Sequence, residues 1–304
     1  MIPFVSDDGR PSYGEAEQVS PLIRRVLADN PSKFTYRGTG TYIVGRGRGV
    51  AVIDPGPLLD AHREALTRAL ADDEVSYIVV THCHADHSPL AAWLAAETGA
   101  PTVAFGPHVP MRPEVPPPTK ATEEATDTGF MPDLAVTDGD VIGGDGWTLE
   151  ALHTPGHTGN HTCWALSEEQ ALFTGDHVMG WSTSVVGPPG GDVGSYLASL
   201  RKVLERDDAV LWPTHGPPVR EPRPFVEAYL QHRLDREAQV LGCVSEGVSE
   251  IPAMVARLYA GVRPELHEPA AWAVLGHLVK LTDDGVVEPD RSPLGIEAQF
   301  RLAG

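Results

Sequence analysis

The sequence predicts a mixed α/β fold whose strands end at a metal site, followed by a smaller, mostly helical domain. Three observations carry that expectation. Apolar, strand-like runs each stop at a histidine or an aspartate; four metal-ligand side chains fall within six residues; and helical periodicity takes over after residue 220.

The densest stretch is Thr81-His82-Cys83-His84-Ala85-Asp86-His87. It follows Ser76-Tyr77-Ile78-Val79-Val80, an apolar run that reads as a buried strand. In extended or loop backbone, positions i and i+2 point the same way, so His82 and His84 face one ion while Cys83 points into the core. Asp86 and His87 follow, just before Ser88, the expected N-cap of a helix over 89–96. A fold gains no stability from crowding three imidazoles and a carboxylate at a strand end, so the stretch reads as functional.

Three more runs end alike. Leu152-His153-Thr154-Pro155-Gly156-His157 closes one strand with a tight turn, Ala171-Leu172-Phe173-Thr174-Gly175-Asp176 ends a second, and Val210-Leu211-Trp212-Pro213-Thr214-His215 a third. Rigid strands ending in loops are a common way to hold a reactive constellation. The candidate ligands are therefore His82, His84, Asp86, His87, His157, Asp176 and His215. They exceed what one tetrahedral ion uses and suit two. Three histidines fit one ion, an aspartate with two histidines fits the other, and the second aspartate bridges. Such ligands suit zinc first, with iron or manganese as alternatives.

These motifs resemble the metallo-beta-lactamase superfamily, whose signature is His-x-His-x-Asp-His followed by a later His, Asp and His. The resemblance covers roughly residues 34–220. It implies an αββα sandwich, two mixed sheets between helical layers with the metals at one edge. It also implies His82, His84 and His157 on one metal, Asp86, His87 and His215 on the other, and Asp176 bridging. Residues 41–45 and 50–56 read as the opening hairpin.

After Pro222, helices are expected over 225–241, 249–259 and 268–281, then a turn into a short strand near 283–289. Three helices and a small β-wing look like a winged-helix domain. This arrangement resembles a subgroup of the superfamily that includes the mitochondrial lactamase-like endoribonucleases and many bacterial hydrolases. The expected organisation is a polar lead-in over 1–33 with one helix over 19–27, a metal-binding catalytic domain over 34–220, and a winged-helix-like domain over 221–304.

Two loops frame the site. Residues 106–120 carry six prolines and continue in a polar stretch to 128, which excludes helix and central strand; the segment reads either as a lid or as a solvated surface loop. Residues 187–194 form a second part of the rim. Trp181 and His161 are weak candidates for substrate contact, and both also read as buried groups, His161 together with His153 as support behind the ligands. Arg220, Arg223, Arg233 and Arg236 lie near the domain junction, interleaved with acidic residues as on a salt-bridged helix surface.

Charge narrows the partners. Asp and Glu outnumber Lys and Arg 42 to 23, a formal net charge of −19, whereas polyanion binding leans on basic patches. Residues 221–304 hold 8 Lys and Arg against 13 Asp and Glu, a net of −5, and the third helix lacks donors for base edges. DNA is therefore not expected; the partner is a small-molecule substrate or single-stranded RNA, with a homodimer contact open to the apolar C-terminal domain. The three cysteines form no C-x-x-C pair and imply no disulfide framework. No stretch has the ~20 apolar residues of a membrane span, nor does the start resemble a signal peptide; the expected location is cytoplasmic.

The expected chemistry is hydrolysis. Zinc lowers the pKa of bound water from about 15.7 to about 7, so a hydroxide held between two ions can attack an ester, thioester, amide or phosphodiester. Asp86 and Asp176 are the expected catalytic carboxylates. The resemblance leaves a single-stranded RNA endonuclease open, and beta-lactam hydrolysis as a minor activity. The alternative of another class is a binding protein that keeps its metals for stability.

Overall fold

Alternation along the strands decides how the layers stack. The computed structural model describes residues 2–6, 9, 11–117 and 125–304. Its first sheet has seven strands in chain order: β1 (Ala16–Gln18), β2 (Ile23–Leu27), β3 (Gly40–Val44), β4 (Arg48–Ile53), β5 (Glu74–Val79), β6 (Thr102–Ala104) and β7 (Leu134–Ala135). β1 to β4 pair antiparallel and β4 to β7 parallel. The parallel steps need long crossovers; helices α1 (Asp60–Ala69) and α2 (Ala91–Thr98) supply the first two, and the long segment that includes the prolines joins β6 to β7. The second sheet contains β8 (Val141–Gly144), β9 (Trp147–His153), β10 (Thr162–Leu166), β11 (Ala171–Gly175) and β12 (Val210–Pro213), all antiparallel except β11 with β12.

Successive side chains on a strand face opposite ways. Ala51 and Ile53 enter the core between the sheets, with Trp147, Trp164, Phe173 and Trp212, while Val50 and Val52 face α1 and α2. On β10, Trp164 and Leu166 face inward, and Cys163 and Ala165 pack under α3 (Val193–Leu204) and the start of α4 (Pro222–Ser245). The layers are α, β, β, α. The three cysteines are buried and free.

Residues 19–27, expected as a helix, instead form the turn after β1 and then β2 (Ile23–Leu27) of the first sheet. Ile23 packs between the sheets and Val26 on the outer layer; three residues apart, they would share one helix face but take opposite faces of a strand. The first sheet thus begins well before residue 34. Ser88 does not cap α2 either: its hydroxyl donates to Asp127 at 2.6 Å, and α2 starts at Ala91 after Leu90.

The C-terminal part is the expected three helices and wing. Val240, Cys243 and Val244 of α4 join α5 (Ile251–Leu258), α6 (His267–Asp283) and the antiparallel pair β13 (Val287–Pro289) and β14 (Phe300–Leu302) in a separate core. α4 belongs to both domains, since its Phe225, Val226 and Tyr229 pack on the second sheet. Val115 of the proline-rich segment is buried in the C-terminal core. That contact makes the segment a strap tied to the winged helix; residues 118–124 lie outside the described part. Among the described residues, no helix is long and apolar enough to cross a membrane.

Candidate metal centre

All four ligand-bearing segments leave the same edge of the sandwich, just after β5, β9, β11 and β12. His82 Nε2 lies 2.9 Å from His84 Nδ1, and His157 Nε2 lies 3.1 Å from that same atom. Two nitrogens on one tetrahedral ion with bonds of about 2.0–2.1 Å sit about 3.3 Å apart, so the three nitrogens fit one ion. Asp176 joins this group, while Asp86, His87 and His215 form a second. In the second group, Asp86 Oδ2 is 3.1 Å from His215 Nε2 and 3.4 Å from His87 Nε2. Asp176 spans the two: its Oδ2 lies 3.7 Å from His87 Nε2 and 3.9 Å from His157 Nε2, and its Oδ1 3.4 Å from His215 Nε2. The buried atoms His87 Nε2 and Asp176 Oδ1 have no hydrogen-bond partner. Buried polar atoms are rarely left unsatisfied, and a bound cation would satisfy both.

Four of the seven candidate ligands are held from behind by other segments of the chain. Asp54, which the sequence reading passed over as part of a hairpin, accepts from the Thr81 backbone and hydroxyl and from the Thr214 hydroxyl, and its Oδ2 lies 2.9 Å from His87 Nδ1. The signal was present: Val-Ile-Asp-Pro-Gly puts a carboxylate at a strand end, as the recognised motifs do. Thr39 donates to Asp86 Oδ2 at 3.0 Å, and the carbonyls of Gly38 and Val185 lie 3.1 and 2.6 Å from Nδ1 of His215 and His157. Partners of this kind fix the ring tautomer so that the other nitrogen faces the metal.

The electrostatics split the histidines. Burial and crowding by neighbouring imidazoles hold His82 and His84 well below the ordinary histidine value, and burial also lowers His157. Burial opposes the charge on His87 and His215, but the surrounding carboxylates win: His87 is raised well above its usual value and His215 to about 10. Burial likewise works against ionisation of Asp86 and Asp176, yet His87 and His215 hold both carboxyls well below the usual range. The lowered histidines favour the neutral form that can ligate, while His87 and His215 sit among carboxylates that favour a positive charge beside them.

The chain's comparison with known families agrees with this geometry. Residues 36–215 match the family model described as metallo-beta-lactamase superfamily, and residues 251–295 match the beta-lactamase associated winged helix domain. The chain belongs to the metallo-beta-lactamase superfamily. Among its relatives, the lactamase-like protein adaB of Aspergillus niger is 30% identical, over 93% of this chain and 87% of that protein. An atrochrysone carboxyl ACP thioesterase of Aspergillus terreus is 31% identical, over 93% and 86%. Of solved structures, a beta-lactamase domain protein from Burkholderia ambifaria shares the fold, with a TM-score of 0.75 at 19% identity over 99% of this chain and 97% of that one.

This superfamily hydrolase has a cavity of about 690 Å³ beside the cluster, with His84 and His157 in its wall. Most of the wall comes from the proline-rich strap and the loop at Gly187 to Gly191, with Lys33, Phe34, Val185, and Glu268, Pro269 and Trp272 of α6. The strap lines the site, and Arg112 fastens it by ion pairs to Asp192, at the start of α3, and to Asp283, at the end of α6.

The two weaker site candidates take other positions. His161 is fully buried; its Nε2 accepts from the Asp176 backbone N–H at 3.2 Å and its Nδ1 lies 2.9 Å from the Thr154 hydroxyl. It stands behind the cluster, held by these two contacts. Trp181 is half-buried, stacked on Tyr36 with ring centres 4.9 Å apart. It packs on Gly216, where an added Cβ would lie 2.6 Å from its ring. Trp181 thus shores up the turn carrying His215 and is absent from the lining of the large cavity.

Proposed function

We propose that the protein hydrolyses the thioester of a bulky, apolar acyl group, with two zinc ions held by His82, His84 and His157 and by Asp86, His87 and His215, and Asp176 between them. One observation carries the reading: the large cavity walled by prolines, Phe34 and Trp272 opens on two of the ligand side chains. A cavity of that size holds a drug-sized apolar group, so an acyl chain seated there presents its carbonyl at the cluster. Relatives named as thioesterases support the choice of bond.

Bound zinc would supply water activation at neutral pH and polarisation of the carbonyl oxygen. The chain's own residues do the rest. The strap and the loop at Gly187–Gly191 exclude water from the acyl group. Asp86 has the most exposed side chain of the three carboxylates at the site, at 23%, and Thr39 fixes its Oδ2. Beside the ion it would help to hold, Asp86 orients the attacking water, and the proton that water gives up passes to the departing thiolate. No serine or cysteine nucleophile is needed, in keeping with Cys83, which burial holds as a thiol with its pKa pushed up to about 11.

Single-stranded RNA ranks lower. Among the described residues of the cavity wall, Lys33 is the one Lys or Arg, and phosphate contacts need several. A panel of short-acyl and aromatic-acyl thioesters, an oxygen ester, a beta-lactam and a labelled RNA tests the reading. The expected result is a kcat/KM for the aromatic-acyl thioester at least about tenfold above the others, since each ~1.4 kcal/mol of differential binding is tenfold. Preference for RNA, or indifference to acyl size, would overturn it.

A further inference from the structure

The strap of chain from Trp181 to Gly187 lies between the metal cluster and the C-terminal helices. On its inner side, the Ser184 hydroxyl donates to the carbonyls of Asp176 and His177, and the Val185 carbonyl lies 2.6 Å from His157 Nδ1. On its outer side, Arg233 of α4 donates through Nη2 to the Ser184 carbonyl, and the Tyr229 hydroxyl donates to that of Ser182. α6 completes the seat: a Cβ at Gly276 would come within 3.1 Å of the Val186 carbonyl, and one at Gly187 within 2.9 Å of the Trp272 carbonyl.

Arg233 is unusual for an arginine. It is 5% exposed, lies over the Tyr196 ring at 5.1 Å, and has no carboxylate partner among the described residues. Its Nε is buried without a hydrogen bond. A buried guanidinium is retained at a desolvation cost, and here its directed hydrogen bond goes to the peptide that precedes Val185. The sequence reading placed this arginine on a salt-bridged helix surface; α4 turns it inward instead.

We infer that Arg233 is a positioning residue through which the winged-helix domain sets metal affinity: it fixes the Ser184 carbonyl, hence the Val185 carbonyl, hence the tautomer and aim of His157. The inference rests on the metal reading of the cluster. Hydrogen-bond partners behind a ligating histidine commonly tune affinity by about 10–100-fold.

The test is zinc titration of the full chain by calorimetry, with the visible spectrum of the cobalt-loaded protein as second readout. Arg233→Met fills a similar volume without the donor and is expected to weaken one of two ions at least about tenfold, shifting the cobalt spectrum while the other ion is unchanged. Arg233→Lys, which keeps a donor, is expected to recover much of that loss. Ser184→Ala loosens the same strap from its inner side, by removing the hydroxyl that donates to the Asp176 and His177 carbonyls; it is expected to weaken the same ion, which gives the answer if Arg233→Met does not fold. Arg236→Met removes a neighbouring arginine that lies over Tyr259 and is expected to bind as the parent does. Parental affinity and spectrum in both Arg233→Met and Ser184→Ala would overturn the inference, as would an equal loss in Arg236→Met. Absence of zinc binding by the parent chain would instead strike the metal reading itself.

Discussion

The Nδ1 of His87 lies 2.9 Å from Oδ2 of Asp54, a carboxylate 1% exposed at the end of β4. Asp54 also takes hydrogen bonds from Thr81 and Thr214, so one buried side chain ties the turns that carry His82, His87 and His215. Its backbone sits at φ 51°, a left-handed conformation that Asp and Asn tolerate better than most residues.

Asp54→Asn should therefore keep the backbone and lose the anionic partner of His87. The expected outcome is a 10–100-fold drop in affinity for one metal ion, read by competition with a chelator, with far-UV circular dichroism unchanged. Unaltered affinity would mean that Asp54 serves the fold alone.

Gly156 precedes ligand His157 at φ 141°, and a Cβ there would lie 2.4 Å from the Tyr196 backbone. Gly156→Ala should destabilise the chain by more than about 1 kcal/mol, seen as a lower urea midpoint, because the close neighbour is α3 backbone and cannot step aside.

Trp272 reaches the large cavity from α6. Trp272→Ala should raise KM for an aromatic-acyl thioester by roughly 10–200-fold, corresponding to about 1–3 kcal/mol of pocket contact, and leave an acetyl thioester nearly unaffected. Equal losses on both substrates would move Trp272 from substrate contact to scaffold.

Acid should destabilise the protein in part through His62. Burial pushes this imidazole down to about 4, the Pro55 backbone pulling the other way, and its Nε2 lies 2.9 Å from the Thr41 hydroxyl. A depressed folded value means the neutral form is favoured in the fold. Its contribution is complete above the unfolded value of about 6.5 and is lost as pH falls toward about 4. His62→Gln should reduce the slope of unfolding free energy in that window by about 1.4 kcal/mol per pH unit, measured by urea unfolding at pH 7 and pH 5.

Local patterns made the metal edge legible. Histidines and aspartates at strand ends name themselves by spacing, and the seven residues so read are the ones that converge. The αββα layering was an implication of the family resemblance, and alternating burial on β4 and β10 agrees with it. What escaped was decided at long range. β2 carries Arg24 and Arg25 between Ile23 and Val26 and reads as helical until β3 is there to pair with it. Val115 looks like loop but belongs to the C-terminal core, and Arg233 touches Ser184 across 49 residues of sequence. The charge of Arg233 looked superficial because Tyr196 and the 181–187 segment that enclose it lie on other elements.

The most direct test of the central claim is the zinc content of the purified chain beside that of Asp176→Ala, each assayed on an aromatic-acyl thioester. The account predicts two zinc ions per parent chain, a loss of bound metal in the variant because Asp176 reaches both ligand groups, and hydrolysis reduced to background. Fewer than one ion per parent chain in zinc-replete buffer, or full hydrolysis by Asp176→Ala, would contradict it.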